Sequence, residues 1–182
     1  MIGIMSENFL SRLRTLGGES RSIDEGAYLF HQGDLVESIY VVEEGMVELA
    51  RYAPNGVLTV LQRAGANMVL AEASAYSDKY LCDGIAAQQS SVCEVAKQTF
   101  LEQIGGDEEF ATAWAEHLAK EVQDARHRSE ILTRKTVAER LDGWLDWRGE
   151  ELPEKGQWKD LADELGVSPE ALYRELAKRR VD

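Results

Sequence analysis

The sequence predicts an α+β chain in which an antiparallel, jelly-roll-like β-roll is followed by a long helix and a small helical domain. Three observations carry this. Seven short β-branched or aromatic runs crowd residues 27–96 with no helical period between them. From Asp107 the pattern changes to a helical period sustained to about Thr136. Beyond Gly149 two short helical stretches are separated by Gly166 and by Ser168-Pro169.

Taken in order, ENFLSRLRTL (7–16) carries Phe9, Leu10, Leu13 and Leu16 at helical spacing and reads as a lead-in helix. AYLF (27–30), SIYVV (38–42), MVELAR (46–51), VLTVLQ (57–62), NMVLA (67–71), YLCDGIAA (80–87) and SVCEVA (91–96) read as strands. HQGD, EEG, APNG and AG lie between some of them and supply turn residues, and Asn55-Gly56 is a hairpin signal. QTFLEQI (98–104) is expected to be a short helix stopped by Gly105-Gly106. Residues 1–106 are thus assigned to the roll.

In the following stretch, 107–136, Ala111, Trp114, Leu118, Val122, Ala125 and Leu132 line one narrow stripe. Lys120, Glu121, Asp124, Arg126, Arg128 and Glu130 flank it. So narrow a seam suits a partner helix, which makes Trp114, Leu118, Val122, Ala125 and Leu132 the expected dimer contacts. The alternative is a single amphipathic helix lying on its own domain. VAERLDGWLDWRG (137–149) continues or restarts the helix with Val137, Leu141, Trp144 and Leu145 inward, and GEELPEKG (149–156) is a polar break.

The tail, 157–180, has the most specific pattern. WKDLADEL should end at Gly166, Ser168 should cap a second helix, and Pro169 suits that helix's first position. Two helices joined this tightly make a helix-turn-helix, so residues 137–182 are read as a DNA-binding head. Ser168, Pro169, Glu170, Ala171, Arg174 and Lys178 would face the groove, with Arg174 the candidate for a bidentate contact to guanine. Arg179 and Arg180 are expected on phosphate. A helical hairpin used only for packing is the plainer alternative.

Charge is unevenly distributed. Of a net −13, residues 1–110 hold 7 Lys and Arg against 17 Asp and Glu, and residues 111–182 hold 13 against 16. A small basic reading surface on an acidic body fits these totals. No apolar run is long enough for a membrane span, the start is too polar for a signal peptide, and two cysteines suit a reducing cytoplasm.

The motif LFHQGDLVESIYVVEEGMVEL, the long helix and the terminal helix-turn-helix together resemble the Crp/Fnr family of bacterial transcription regulators. The Gly33-Asp34 turn, the Ile39-Tyr40-Val41-Val42 strand and the Gly45 turn match that family's cyclic-nucleotide-binding-like roll. The resemblance implies a homodimer, double-stranded DNA with a palindromic site, RNA polymerase as a further partner, and a small-molecule effector. It also implies an effector pocket. Where nucleotide-binding members carry a Gly-Glu pair for the ribose this chain has Ala71-Glu72, and where they carry Arg-Ser or Arg-Thr for the phosphate it has Cys82-Asp83. Ala125 and Arg126 occupy the place of the hydroxyl residues that reach the base from the stem. An aspartate and a thiol cannot replace a guanidinium's paired donors, so cyclic AMP is not expected to bind unless Arg126 substitutes. Family members commonly continue into a β-hairpin wing; here the sequence stops at Asp182.

No nucleophile and base pairing, phosphate loop or metal set is visible, so no catalytic residue, metal or cofactor is assigned. His31, His117 and His127 are scattered, and Cys82 and Cys93 read as buried sheet residues before redox sensors. The leading function is sequence-specific DNA-binding regulation with an unidentified effector. The other reading is a ligand-sensing or protein-interaction module that keeps roll and stem without reading DNA.

Overall fold

A computed structural model describes residues 7–149 and 151–179. The chain divides into two compact units, one ending at Leu118 and the other beginning at Ala119. None of the described helices is long and apolar enough to cross a membrane.

The first unit opens with α1 (Glu7–Leu16), then eight strands: β1 (Ser20–Ile23), β2 (Tyr28–Phe30), β3 (Ser38–Glu44), β4 (Met46–Tyr52), β5 (Leu58–Gly65), β6 (Met68–Leu70), β7 (Asp83–Ala86) and β8 (Ser90–Ala96). They form two four-stranded antiparallel sheets, ordered β1-β8-β3-β6 and β2-β7-β4-β5. β1 has no counterpart in the sequence-based assignment. Its residues, SRSI, are polar, and only Ile23 is buried. It exists because β8 offers it a ladder, with Ser20 opposite Cys93 and Ile23 opposite Ser90.

Alternation along β3 explains why both faces of its sheet are apolar. Tyr40 and Val42 join Phe30, Leu49 and Val92 between the sheets, while Ile39 and Val41 join Phe9, Leu13, Val95 and Phe100 on the other face. Two-sided burial turns the expected strand alternation into a continuous buried run, Ser38–Val42. The outer core is roofed by α1, by α2 (Lys97–Gly106) and by the first turns of α3 (Glu108–Thr133).

Gly105-Gly106 does not stop a helix short; both lie within α2, and the break comes at Asp107. The Asp107 carboxylate accepts from the Phe110 backbone N–H at 2.9 Å and pairs with Arg12 of α1. The amide first, with Arg12 assisting, holds the Asp107 carboxyl below its usual value.

The second unit contains the rest of α3, α4 (Val137–Arg148), α5 (Trp158–Glu164) and α6 (Pro169–Arg179). Its core is Ile131, Leu141, Trp158, Leu161, Ala162, Leu165, Leu172 and Leu176. The stem does not run on into α4. Thr136 accepts from the Glu139 N–H at 3.2 Å, and Glu139 accepts from the Thr136 N–H at 2.9 Å, a capping box that starts a new helix. The T-x-x-E spacing was available in the sequence as its signal. Arg140 then binds the unit together, donating from Nε to the Arg134 carbonyl and from Nη1 to the carbonyls of Leu165 and Gly166, at 2.9 to 3.0 Å.

Candidate functional site

The helix-turn-helix is built by its turn. Gly166 adopts φ +61°, its N–H donates to the Asp163 carbonyl, and the Val167 N–H donates to the Ala162 carbonyl, each at 3.0 Å. This double closure satisfies the last carbonyls of α5 and reverses the chain, and only a residue at ease with positive φ fits. Ser168 Oγ accepts from the Ala171 N–H at 3.3 Å, and Pro169 opens α6. Leu172 and Leu176 are buried on one side of α6. Ser168, Glu170, Arg174 and Lys178 are exposed on the remainder, with Pro169 and Ala171 half-buried.

Glu170 is held below the usual carboxylate value by its own backbone N–H, then by the Ser168 hydroxyl, with the Arg174 charge adding to both. The outward face of α6 therefore presents an ionised carboxylate beside a guanidinium. Lys178 is largely free in solvent, 3.7 Å from Glu175.

Arg179 is exposed, and its guanidinium is engaged within the head. Its Nη1 lies 2.7 Å from Asp142 of α4, its Nε donates to Glu175 at 3.1 Å, and its Nη2 donates to the Ala138 carbonyl at 3.1 Å. The same contacts account for Glu175, a carboxylate where an apolar residue would be ordinary. Arg180 lies outside the described residues.

Of the expected dimer seam, Trp114 is taken up by the roll's own core, 2% exposed, with ring centroids 4.7 Å from Phe100 and 6.3 Å from Phe9. Leu118 is half-buried against the same cluster. Val122, Ala125 and Leu132 are exposed. Near the end of α3, Ile131 is buried, at 4%, in the core of the second unit, and Leu132 is exposed, at 45%.

In the roll, Ala71 follows β6 with φ +66°, a conformation glycine adopts freely and alanine does not. Glu72 follows at the start of a short 3-10 turn and is buried. Cys82 and Asp83 are buried at the start of β7. Asp83 accepts from the Gln32 N–H at 2.8 Å and lies 3.7 Å from His31 Nδ1, so its carboxylate staples the 31–34 turn. The pairing of Ala50 with Asp83 places Arg51 beside Cys82, where Arg51 donates twice to the Leu81 carbonyl at 2.8 and 3.2 Å. Burial pushes the Cys82 thiol above its ordinary value, Arg51 opposes this, and Asp83 and Glu72 add to it. Arg51 was missed by sequence reading, since only strand register brings it there. Ala125 and Arg126 belong to the other unit and are exposed.

An antiparallel roll followed by a long helix and a helix-turn-helix is the fold of Crp/Fnr-type transcription regulators. Residues 20–107 match the family model described as the cyclic nucleotide-binding domain. FixK2 from Bradyrhizobium japonicum is similar with a TM-score of 0.74 at 20% identity, over 90% of this chain and 84% of that one. The c-di-GMP responsive global regulator CLP of Xanthomonas campestris gives 0.69 at 18% identity, over 96% and 92%. The sensor domain of the transcriptional regulator DNR from Pseudomonas aeruginosa gives 0.54 at 23% identity, over 73% and 86%. No curated protein matches the chain in sequence.

Proposed function

We propose that this chain is a homodimeric, sequence-specific DNA-binding transcription regulator of the cytoplasm, whose roll answers to a small molecule other than cyclic AMP. The observation that carries the reading is the outward face of α6, where Glu170, Arg174 and Lys178 stand clear of a helix whose Leu172 and Leu176 are buried. α3 provides the stem, with Val122, Ala125 and Leu132 toward a second copy. Two heads related by a twofold axis then meet a palindrome with half-sites about 34 Å apart. The effector acts by shifting the heads between mismatched and matched spacing, and RNA polymerase is the downstream partner.

Rejection of cyclic AMP follows from charge. Where the phosphate-gripping pair would stand, Asp83 is a buried carboxylate, and the neighbouring Arg51 already holds the Leu81 carbonyl. A phosphate beside Asp83 therefore meets repulsion with no guanidinium fork from Arg51 to offset it, unless Arg126 substitutes from the stem. Calorimetric titration with cyclic AMP should give no heat of binding, and micromolar affinity would overturn this part.

Selection of bound fragments from genomic DNA, followed by fluorescence anisotropy on the enriched inverted repeat, tests the whole. Arg174→Ala should flatten sequence preference by about 1 to 3 kcal/mol at one base pair per half-site. Failure to enrich any fragment would favour the module that keeps the roll and stem without reading DNA.

A further inference from the structure

Tyr173 is absent from the expected reading residues, yet among the described residues from Ala119 onward it is the one exposed Phe, Tyr or Trp, at 41%. It follows the buried Leu172 and precedes the outward Arg174, so it lies at the edge of the exposed face of α6 rather than in the core. Its ring is not loose. The centroid sits 5.6 Å from that of Trp158, the rings inclined at 49°. Trp158 is itself buried, with Nε1 donating to the Pro153 carbonyl at 3.0 Å. The first helix of the motif therefore holds the phenol ring of the second in one orientation, and a ring ordered beforehand loses little freedom on docking.

The charged neighbours on this face read donors and acceptors. An aromatic ring offers something else, a flat apolar edge, and the apolar group displayed in the major groove is the C5-methyl of thymine. We infer that Tyr173 is a specificity-determining residue that packs against a thymine methyl beside the base read by Arg174. The inference rests on the DNA-reading function proposed above and adds to it an apolar component of sequence preference. Burying one methyl group corresponds to about a fourfold change in affinity.

The test uses the full chain and the inverted repeat recovered by genomic selection, with each thymine of a half-site replaced in turn by deoxyuridine. The unmodified protein should lose about fourfold in affinity at one position. Tyr173→Ala should bind thymine and uracil there equally, and Tyr173→Phe should keep the discrimination. Circular dichroism and an unchanged cooperative urea transition verify that both variants are folded. Equal binding of every thymine and uracil site by the unmodified protein overturns the inference while leaving DNA reading intact. So does a Tyr173→Phe variant that weakens all sites alike, which would assign the hydroxyl to phosphate. If no DNA is selected at all, the function proposed above fails and this inference with it.

Discussion

Replacing Arg179 by alanine separates two roles for one cation. In the folded head its guanidinium reaches Asp142, Glu175 and the Ala138 carbonyl. The Asp142 side chain is 55% exposed, so that pair contributes at most about 1 kcal/mol. Glu175 is only 14% exposed, and removing its charged partner costs about 1 to 2 kcal/mol. Lys178, 3.7 Å from Glu175, offsets part of this. The expected loss is about 2 kcal/mol, large beside the small core of Leu141, Leu161, Leu165, Leu172 and Leu176. Three tryptophans, Trp144, Trp147 and Trp158, lie in this unit and report on it. A urea titration followed by their fluorescence should show Arg179→Ala unfolding at a lower midpoint with an unchanged slope. A phosphate-binding arginine behaves oppositely, leaving stability alone and reducing the salt dependence of DNA affinity by about 0.9 in log–log slope. An unchanged urea midpoint with that reduced salt slope would refute the structural role of Arg179. Lys178→Ala, altering an exposed ammonium, should give the phosphate result and no loss of stability.

Gly45 takes φ +85°, and a Cβ there would come within 2.4 Å of the Gln89 carbonyl oxygen and 2.7 Å of Ser90 Cα, so Gly45→Ala should cost about 3 kcal/mol or more by denaturant titration. A loss below about 1 kcal/mol would contradict the backbone crowding. Burial raises both thiols, Cys82 and Cys93, above their ordinary value, so a thiol reagent at neutral pH should label neither in the folded protein and both in urea. Rapid labelling of the folded chain would reopen a redox role. The Thr136 backbone N–H, with the Thr136 hydroxyl next, depresses Glu139, and a depressed carboxylate adds stability that is present above its unfolded value and lost as pH falls through the folded one. The urea midpoint of the head should therefore rise as pH climbs from below the ordinary glutamate range through it, and Glu139→Gln should make that rise shallower. An identical pH profile in the variant would remove the capping box as its cause.

Element type was legible wherever local chemistry and burial agreed. Phe9, Leu10 and Leu13 announced α1 by spacing, Asn55-Gly56 marked the β4–β5 hairpin, and Gly166 with Ser168-Pro169 located the turn of the head, because each of these depends on the residues nearest in sequence. The outward set Glu170, Arg174 and Lys178 was readable for the same reason, since helical period separates it from Leu172 and Leu176. Partnership was not readable. SRSI became a strand only because β8 lay beside it, and Arg51 came to Cys82 only through the β4–β7 register. Trp114 could have faced solvent or the interior, and a one-dimensional pattern does not choose; burial among Phe9, Phe100 and Phe110 decides it. Arg179 stays exposed, pairing with Glu175 one turn back on its own helix and with Asp142 and the Ala138 carbonyl from distant positions in the chain. Sequence by itself determined which residues turn, cap and alternate. Which charges and rings remain available to a partner was decided by the tertiary structure, because availability is what is left after the fold has satisfied its own buried groups.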